Sequence, residues 1–285
     1  MLQRQYFYFV AGLADLLFDS GKSFAGMLEF REELKKNLHP RDFHLVSLLF
    51  LPYDNRNLIT FLEGNGNAWD QLGNFSKEEF EEQLRIIKAI LKEEDILPDY
   101  IVRIMREWTG LEEGVKVADI KKRLSEGYIN TVEGSGNRFL KRWIRFETDL
   151  NNIFVFLNAK SLETDPAAHV MGDDPFTREL LDLFKAGKDF SVSFEPDHVS
   201  DIFKIATESE FLERERKIDL LKWNFIDTIT FFEYFNIDLI LGYLVKYSIV
   251  LRWDRLNPET GREMLRKFIA DTEASISNGM PRQEF

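Results

Sequence analysis

Two acidic residues, each followed by an asparagine three positions later, are the first candidates for chemistry in this chain. Asp54 precedes Asn57 in the stretch YDNRN, and Asp149 precedes Asn152 in TDLNN. On a helix, residues three apart lie on the same face, so each carboxylate and amide would stand side by side, as a catalytic pair does. An enzyme rarely needs the same acid twice in one chain, and an unpaired buried amide costs about 1–3 kcal/mol. We therefore expect both pairs to be structural, each holding two helices in register.

The two pairs belong to a longer repeated motif, D-x-x-N-[LI]-x-x-F-L. A weaker third copy ends at Trp253 and Leu256, and there Ile249 and Arg252 replace the acid and the amide. Each copy follows an apolar segment with helical spacing, which predicts three similar helical units within one body. The approximate units are residues 1–95, 96–195 and 196–285, and the motif residues are Asp54, Asn57, Phe61, Asp149, Asn152, Phe156, Trp253 and Leu256.

Other spacings typical of catalytic or metal sites are incomplete. The GKS of residues 21–23 resembles the end of a phosphate-binding loop, but Leu16 stands where that motif requires glycine. Asp173 and Asp174 precede Pro175, an arrangement that most simply caps a helix. The histidines lack metal-ligand spacing and no HExxH motif is present, so we expect no catalytic residue, no cofactor and no metal. The histidines are His39, His44, His169 and His198.

Helix signals dominate the rest of the chain. Ser76 and Glu79 form a predicted capping box ahead of apolar residues at helical spacing. Asn257 followed by Pro258 predicts another helix start. The runs YFYFV and FSVSF look strand-like, but neither has an evident partner strand. The predicted fold class is mainly α.

Composition narrows the classes of function. At 285 residues, 44% hydrophobic and 30% charged, the chain can bury a core. The net charge of −12 argues against nucleic acid and disfavours adsorption to anionic lipid, while the absence of cysteine fits a reducing cytosol. No secretory signal is evident, and the apolar stretch at 237–251 falls short of the roughly 20 residues that span a bilayer. We expect a cytoplasmic protein that does not insert directly into lipid.

Two aromatic stretches have two interpretations. They are YFYFV at 6–10 and FFEYF at 231–235. Phenylalanine is usually buried, so core packing is the preferred interpretation. The alternative is that some of these rings are exposed anchors for a partner, because aromatic residues are favoured at interfaces.

One stretch carries a family resemblance. RFETDLNNIFVFLNAK resembles a helix of the C/d-type subunit family of V-type ATPases, whose members occur in archaeal, bacterial and eukaryotic enzymes. The segments at 215–223 and 235–269 resemble that family's last repeat, although residues 247–252 lack the acid and asparagine usual there. The family is all-α, with three similar units arranged as a funnel. The resemblance therefore implies a divergent bacterial member with three pseudo-repeated helical bundles forming a funnel-like single body.

The resemblance also implies a function. Such a protein is a non-catalytic central-rotor adaptor that links the rotor stalk to the membrane rotor ring for ion-transport coupling, and it is peripherally membrane-associated through those partners. Two alternatives stay open: a helical protein-interaction scaffold unrelated to ATPases, and an enzyme that uses carboxylates converging from distant positions or a metal site not evident in the sequence. The expected partner interface lies in the turns after the motif copies, at Asn65, Asn67, Lys160, Glu163, Asn257 and Glu259.

Overall fold

All regular secondary structure in the described part of the chain is helical, which confirms the mainly α fold class. The structure is a computed structural model that describes residues 4–18, 24–64, 68–89, 94–110, 117–187, 198–206 and 208–256. Its helices are α1 (Phe7–Gly12), α2 (Met27–Asn37), α3 (Pro40–Leu48), α4 (Leu51–Leu62), α5 (Lys77–Ala89), α6 (Asp99–Trp108), α7 (Val117–Gly134), α8 (Arg138–Leu162), α9 (Pro175–Lys185), α10 (His198–Ala206), α11 (Phe211–Thr230) and α12 (Ile237–Leu256), with a short 3-10 turn at Pro166–Ala168.

The strand-like interpretation of YFYFV is wrong, because these residues enter helix α1. A short apolar run is compatible with a strand or a helix, and its partners decide between them. Here the N–H of Tyr6 donates to the carbonyl of Phe235 at 2.6 Å, and the ring of Phe7 lies 4.7 Å from that of Phe235. The run FSVSF and the GKS of residues 21–23 fall outside the described residues.

The predicted helix caps form where the sequence places them. The N–H of Ser76 donates to Glu79 Oε2 at 2.7 Å, and the N–H of Glu79 donates back to Ser76 Oγ at 3.3 Å. Asp174 accepts from the N–H groups of Phe176 and Thr177 at the start of α9. These bonds satisfy N–H groups that have no partner inside the helix. The predicted cap at Asn257 lies outside the described residues.

Side chains cap the starts of three helices, α3, α8 and α12, and each cap comes shortly after the end of the preceding helix. His39 Nδ1 accepts from Arg41 N–H at 3.2 Å, Asn137 Oδ1 accepts from Leu140 N–H at 2.8 Å, and Asn236 Oδ1 accepts from Leu239 N–H at 3.2 Å. Asn137 Nδ2 also donates to Asp238 at 2.5 Å, which joins the starts of α8 and α12. A turn at Leu49 and Phe50, just ahead of Pro52, separates α3 from α4. The residues involved are His39, Arg41, Asn137, Leu140, Asn236, Leu239 and Asp238.

The largest hydrophobic cluster lies where α8 packs against α11 and α12, and where α3 packs against α12. Phe146 of α8 stacks on Phe225 of α11 with ring centroids 4.2 Å apart. Gly242 allows close approach of α12 to α11, since a Cβ there would lie 2.9 Å from Thr230 Cγ2 and 3.0 Å from Ile226 Cγ2. Two smaller clusters bring the helix pairs α5–α6 and α9–α10 onto the outside of this body. In the described residues, no helix combines the length and the apolar character needed to cross a bilayer.

Candidate functional site

The first motif pair, Asp54 and Asn57, fixes the loop that joins α4 to α5. Both side chains are fully buried. Asn57 donates from Nδ2 to the carbonyl of Asp70 at 2.9 Å and accepts at Oδ1 from the N–H of Asp70 at 2.8 Å. Asp54 accepts from the N–H of Asn74 at 2.7 Å, from its Nδ2 at 2.6 Å, and from the N–H of Phe75 at 3.1 Å. The pair therefore replaces the hydrogen bonds that this loop would otherwise make with water.

The second motif pair repeats the arrangement in the loop between α8 and α9. Asn152 donates from Nδ2 to the carbonyl of Met171 at 2.7 Å and accepts from the N–H of Met171 at 2.9 Å. Its Nδ2 also lies 3.2 Å from Thr177 Oγ1, and Asp149 is 2% exposed beside it. In both copies one asparagine holds both backbone groups of a single loop residue. Each motif asparagine thus holds a loop, whereas its position on the helix predicted a neighbouring helix as the partner.

The third copy uses a different bond. Arg252, at the position of the asparagine, donates to Asp219 of α11, and Trp253 Nε1 donates to the same carboxylate at 2.8 Å. Asp219 is 2% exposed; burial raises its pKa, against the opposing effects of Arg252 and Trp253. This copy ties α12 to α11 and so does hold two helices in register.

The motif phenylalanines of the first two copies pack outward. The ring of Phe61 lies 5.9 Å from Phe80 of α5, and the ring of Phe156 lies 5.9 Å from Phe184 of α9 and 6.4 Å from Phe203 of α10. These contacts join each motif helix to its outer helices. The side chain of Leu256 lies outside the described residues.

Gly73 is the contact point between the first motif pair and its loop. A Cβ at this position would lie 2.6 Å from Asn57 Nδ2 and 2.8 Å from Asp54 Oδ1, and both atoms are fixed by buried hydrogen bonds. We expect Gly73→Ala to lower the free energy of unfolding by about 1–3 kcal/mol, because the pair must shift to admit the methyl group. Urea unfolding at unchanged m-value would measure the loss.

The matched control for this prediction is Gly134→Ala, in the last turn of α7. No atom lies within 4 Å of a Cβ built there. Alanine is favoured over glycine in a helix by up to about 1 kcal/mol, so this variant should keep or gain stability. Equal losses at Gly73 and Gly134 would contradict the proposed clash.

A recess lies between α4, α8 and α12, the helices that carry the three motif copies and are here called the motif helices. It adjoins a face of each helix that differs from the face carrying the acid and asparagine positions. It comprises three adjoining cavities of about 300, 460 and 950 Å³. The first and second cavities share Tyr128 and Glu147, and the first and third share Tyr53 and Ser248. We call these three cavities together the central recess. A helix about 10 Å across occupies roughly 400 Å³ per turn, so the largest cavity alone has the volume of about two turns.

Each motif copy contributes equivalent positions to the central recess, those of α4 and α12 at the cavity of about 950 Å³ and those of α8 at the adjoining cavity of about 460 Å³. The residue just before the acid position lines it in all three copies, and so does the residue two places after that position. Because positions on one helix that differ by three residues share a face, one face of each motif helix is turned to the recess. The residues before the acid position are Tyr53, Thr148 and Ser248, and those two places after it are Arg56, Asn151 and Leu251.

The wall of the central recess carries charges of both signs, and several of these are paired. Lys222 Nζ lies 2.9 Å from Glu147 Oε1, and Arg56 lies 3.0 Å from Asp70. The guanidinium of Arg56 also lies 4.5 Å from the ring centroid of Tyr53, and burial raises the pKa of Tyr53. In the described residues, no three histidine, cysteine or acidic side chains are grouped as a metal site would require. A wall of paired charges and aromatic rings suits contact with a polar protein surface.

The preferred interpretation of the two aromatic stretches as core is wrong for five of their rings. Exposure reaches 97% at Tyr8 and 79% at Phe232. The sequence lacked any signal for this, because a run of aromatic residues looks the same whether the neighbouring element covers it or leaves it open. The alternative, that some of these rings are exposed, fits the structure. The exposed rings, here called the aromatic face, are Phe7, Tyr8, Phe231, Phe232 and Tyr234.

The residues predicted as a partner interface are only partly described. Lys160 and Glu163 are exposed at the end of α8, where Glu163 adopts a left-handed conformation with φ of 53°. Asn65, Asn67, Asn257 and Glu259 lie outside the described residues. The recess-lining positions were missed from the sequence, although their fixed offsets from the motif acid were a signal that could have found them.

Comparison with known proteins gives a family and no activity. Neither the curated proteins nor the solved structures contain a match to this chain. One family model matches residues 3–276, and its description is "Protein of unknown function (DUF2764)". Because that match covers nearly the whole sequence, the chain belongs to the DUF2764 family.

Proposed function

We propose that this protein is a non-catalytic central-rotor adaptor of a V/A-type rotary ATPase, linking the rotor stalk to the membrane rotor ring. The observation that carries the proposal is the central recess, which one helix from each motif copy lines at equivalent positions. In this proposal the three motif copies stand for three pseudo-repeated bundles, and the recess between them serves as the funnel that the family resemblance implies. A socket lined by one helix from each motif copy suits a part that lies on a rotation axis, because the stalk would be held from three sides.

The described contacts fit a mechanical role. Torque passes through an adaptor only if the helices around its socket move together. Asn57 and Asn152 fasten the loops beside two of the motif helices, and Asp219 fastens the third to α11. The paired charges at the wall, such as Glu147 with Lys222, offer polar contacts to the tip of a stalk. In this proposal the protein works in the cytoplasm and reaches the membrane through its protein partners.

Recovery of partners from native membranes tests the proposal. The tagged protein, incubated with solubilised membranes at low and moderate salt, should recover the proteins of the rotor stalk and the ring. Recovery of the protein alone, from a preparation in which the ATPase is intact, would overturn the proposal. Recovery of a different partner through the recess would favour the alternative, a helical scaffold unrelated to ATPases.

A bulky substitution in the recess gives a specific prediction. Ser248→Trp places a large ring at the recess wall, and we expect it to weaken stalk binding roughly tenfold or more, because the stalk tip and the ring compete for the same volume. The control is Lys185→Trp on the outer helix α9, where the lysine side chain is 73% exposed. Titration of the purified stalk proteins against both variants measures the effect. Equal affinities for both variants would remove the recess from the interface.

A further inference from the structure

The aromatic face is held on the folded body by hydrogen bonds and ring contacts. α1 is tied to the turn between α11 and α12 by the bond from Tyr6 N–H to the carbonyl of Phe235 and by the contact of Phe7 with Phe235. Phe231 and Phe232 lie in that turn with ring centroids 4.9 Å apart. The exposed rings of α1 and of the turn therefore lie side by side on one surface.

This surface lies at the end of the body where α3, α8 and α12 begin. The hydroxyl of Tyr6 donates to Asp42 and accepts from the N–H of His39 at 3.3 Å, which places α1 against the start of α3. The bond between Asn137 and Asp238 places the start of α8 beside that of α12. The turns between α2 and α3, α7 and α8, and α11 and α12 thus meet at one end, here called the helix-start end.

The charge of the helix-start end is opposite to that of the whole chain. The chain has a net charge of −12. At this end, however, exposed cations outnumber acids, and one of the acids, Asp42, is bonded to Tyr6 and Arg4. The exposed cations in the segment before α1, the last turn of α2 and the first turns of α3 and α8 are Arg4, Lys35, Lys36, Arg41, Arg138 and Lys141. The acids that are not fully buried in the same turns, in the last turns of α7 and α11 and in the α11–α12 turn are Asp42, Glu133, Asp227 and Glu233, and Asp227 is paired with Lys246.

A surface that combines exposed aromatic rings with exposed cations is typical of proteins that bind to the surface of a membrane. Aromatic side chains are favoured at the headgroup level of a bilayer, and Lys or Arg near an anionic bilayer surface is attracted to it. Long cationic side chains also keep their charge in the headgroup region while their stems cover apolar surface. The net charge of the chain disfavours such adsorption. However, only charges within a Debye length of about 8–10 Å of the bilayer interact with it strongly, so the local charge of the helix-start end matters more than the net charge.

We infer that the aromatic face and the surrounding cations seat the helix-start end directly on an anionic lipid bilayer, with the rings at headgroup depth. The contact adds a lipid surface to the partners of the proposed adaptor. The contact would also orient the body. The C-terminal ends of α4, α8 and α12, which lie beyond the central recess, would point away from the membrane. The inference does not depend on the adaptor function, since it concerns lipid and no protein of the ATPase.

Flotation of the full-length protein with liposomes tests the inference. The probe is a set of vesicles of phosphatidylcholine with increasing phosphatidylglycerol content, free of any protein. The bound fraction should rise with the phosphatidylglycerol content and fall as salt is raised, because screening weakens the attraction to the surface. A protein that fails to float with anionic vesicles, while cooperative thermal unfolding shows that it is folded, would overturn the inference.

Matched variants separate the face from the rest of the surface. Tyr8→Ser combined with Phe232→Ser should reduce vesicle partitioning about tenfold, because both rings are highly exposed in the protein. The control is Trp108→Ser combined with Leu162→Ser, which removes two exposed apolar side chains elsewhere and should leave flotation unchanged. Equal flotation of the two double variants would overturn the inference, and unchanged thermal unfolding of both would show that folding is not the cause.

Charge reversal provides a second, independent comparison. Arg138→Glu combined with Lys141→Glu should lower partitioning into anionic vesicles about tenfold or more, with little change for neutral vesicles. The control is Lys185→Glu combined with Lys204→Glu, on the outer helices, where the lysine side chains are 73% and 70% exposed. If both reversals act equally, only net charge matters and the helix-start end has no special role, which would also overturn the inference.

Discussion

Asn152→Ala is expected to lower the free energy of unfolding by about 2–4 kcal/mol, one of the largest losses from a single polar side chain in this protein. The substitution removes the bonds to the carbonyl and the N–H of Met171 and the contact with Thr177 Oγ1. A hydrogen bond contributes about 1 kcal/mol net, and buried groups left without a partner cost more. Because Asn152 is fully buried, its removal also opens a small space in the packing. Urea unfolding, compared at constant m-value, measures the loss.

The neighbouring asparagine provides the control. Asn151 lies at the wall of the central recess and is only partly buried. Its replacement by alanine should change stability by no more than about 0.5–1 kcal/mol. Asn57→Ala should behave like Asn152→Ala, because it removes the same two bonds from Asp70. Similar small changes for Asn151 and Asn152 would refute a clamp by the motif asparagine.

Local sequence signals predicted the helix starts correctly. The capping box of Ser76 and Glu79 and the cap at Asp174 involve atoms within three residues of each other, so spacing alone determines them. The same holds for the amphipathic pattern of α5, in which Phe80 and Ile87 are buried. The mainly α fold class follows from such signals because each acts within one helix.

Partners that depend on irregular backbone were not predictable. The loop residues held by Asn57 and Asn152, Asp70 and Met171, lie at different distances along the chain from their asparagines. No periodic pattern connects them, since a loop has no fixed rise per residue. The structural role of the motif followed from its repetition, whereas the identity of its partner required the folded loop. The exposure of Tyr8 and Phe232 depended in the same way on which elements cover them.

The central recess shows an intermediate case. Its lining positions sit at constant offsets from the motif acid, so the repeat in the sequence already contained them. The direction in which that face points could not be derived, because an amphipathic helix between two packed neighbours has more than one covered face. Tyr53 and Arg56 alternate with Asp54 and Asn57 along α4. Only the structure shows that the first two face the recess and that the last two face the loop.

Asp54 should make stability fall as the pH rises from about 4 to about 6. Burial raises the pKa of this carboxyl from 3.8 to about 6, although hydrogen bonds from Phe75 and Asn74 and the charge of Arg31 act in the opposite direction. Between these values the folded protein holds a proton at Asp54 that the unfolded chain has released. The folded state therefore binds more protons, and the free energy of unfolding decreases with rising pH. A rise from 3.8 to about 6 corresponds to a contribution of about 3 kcal/mol, complete above pH 6.

The measurement compares the protein with Asp54→Asn across pH 4–7. The amide does not titrate, so the difference in free energy of unfolding between the two proteins isolates Asp54 from the other acids. As the pH rises, the free energy of unfolding of the unsubstituted protein should fall by about 3 kcal/mol relative to that of Asp54→Asn. Asp174→Asn is a control of opposite sign: burial would raise the pKa of Asp174, but bonds from Thr177 and Phe176 and the charge of Arg145 keep it below the ordinary value. The stability that Asp174 contributes is thus lost only as the pH falls below about 3.8, so the difference for Asp174→Asn should stay nearly flat across pH 4–7 and show its opposite sign below pH 4. A flat difference for Asp54→Asn would mean that the bonds from Asn74 and Phe75 keep the carboxylate ionised in the folded protein, and the first motif pair would then be a buried charge held entirely by its loop.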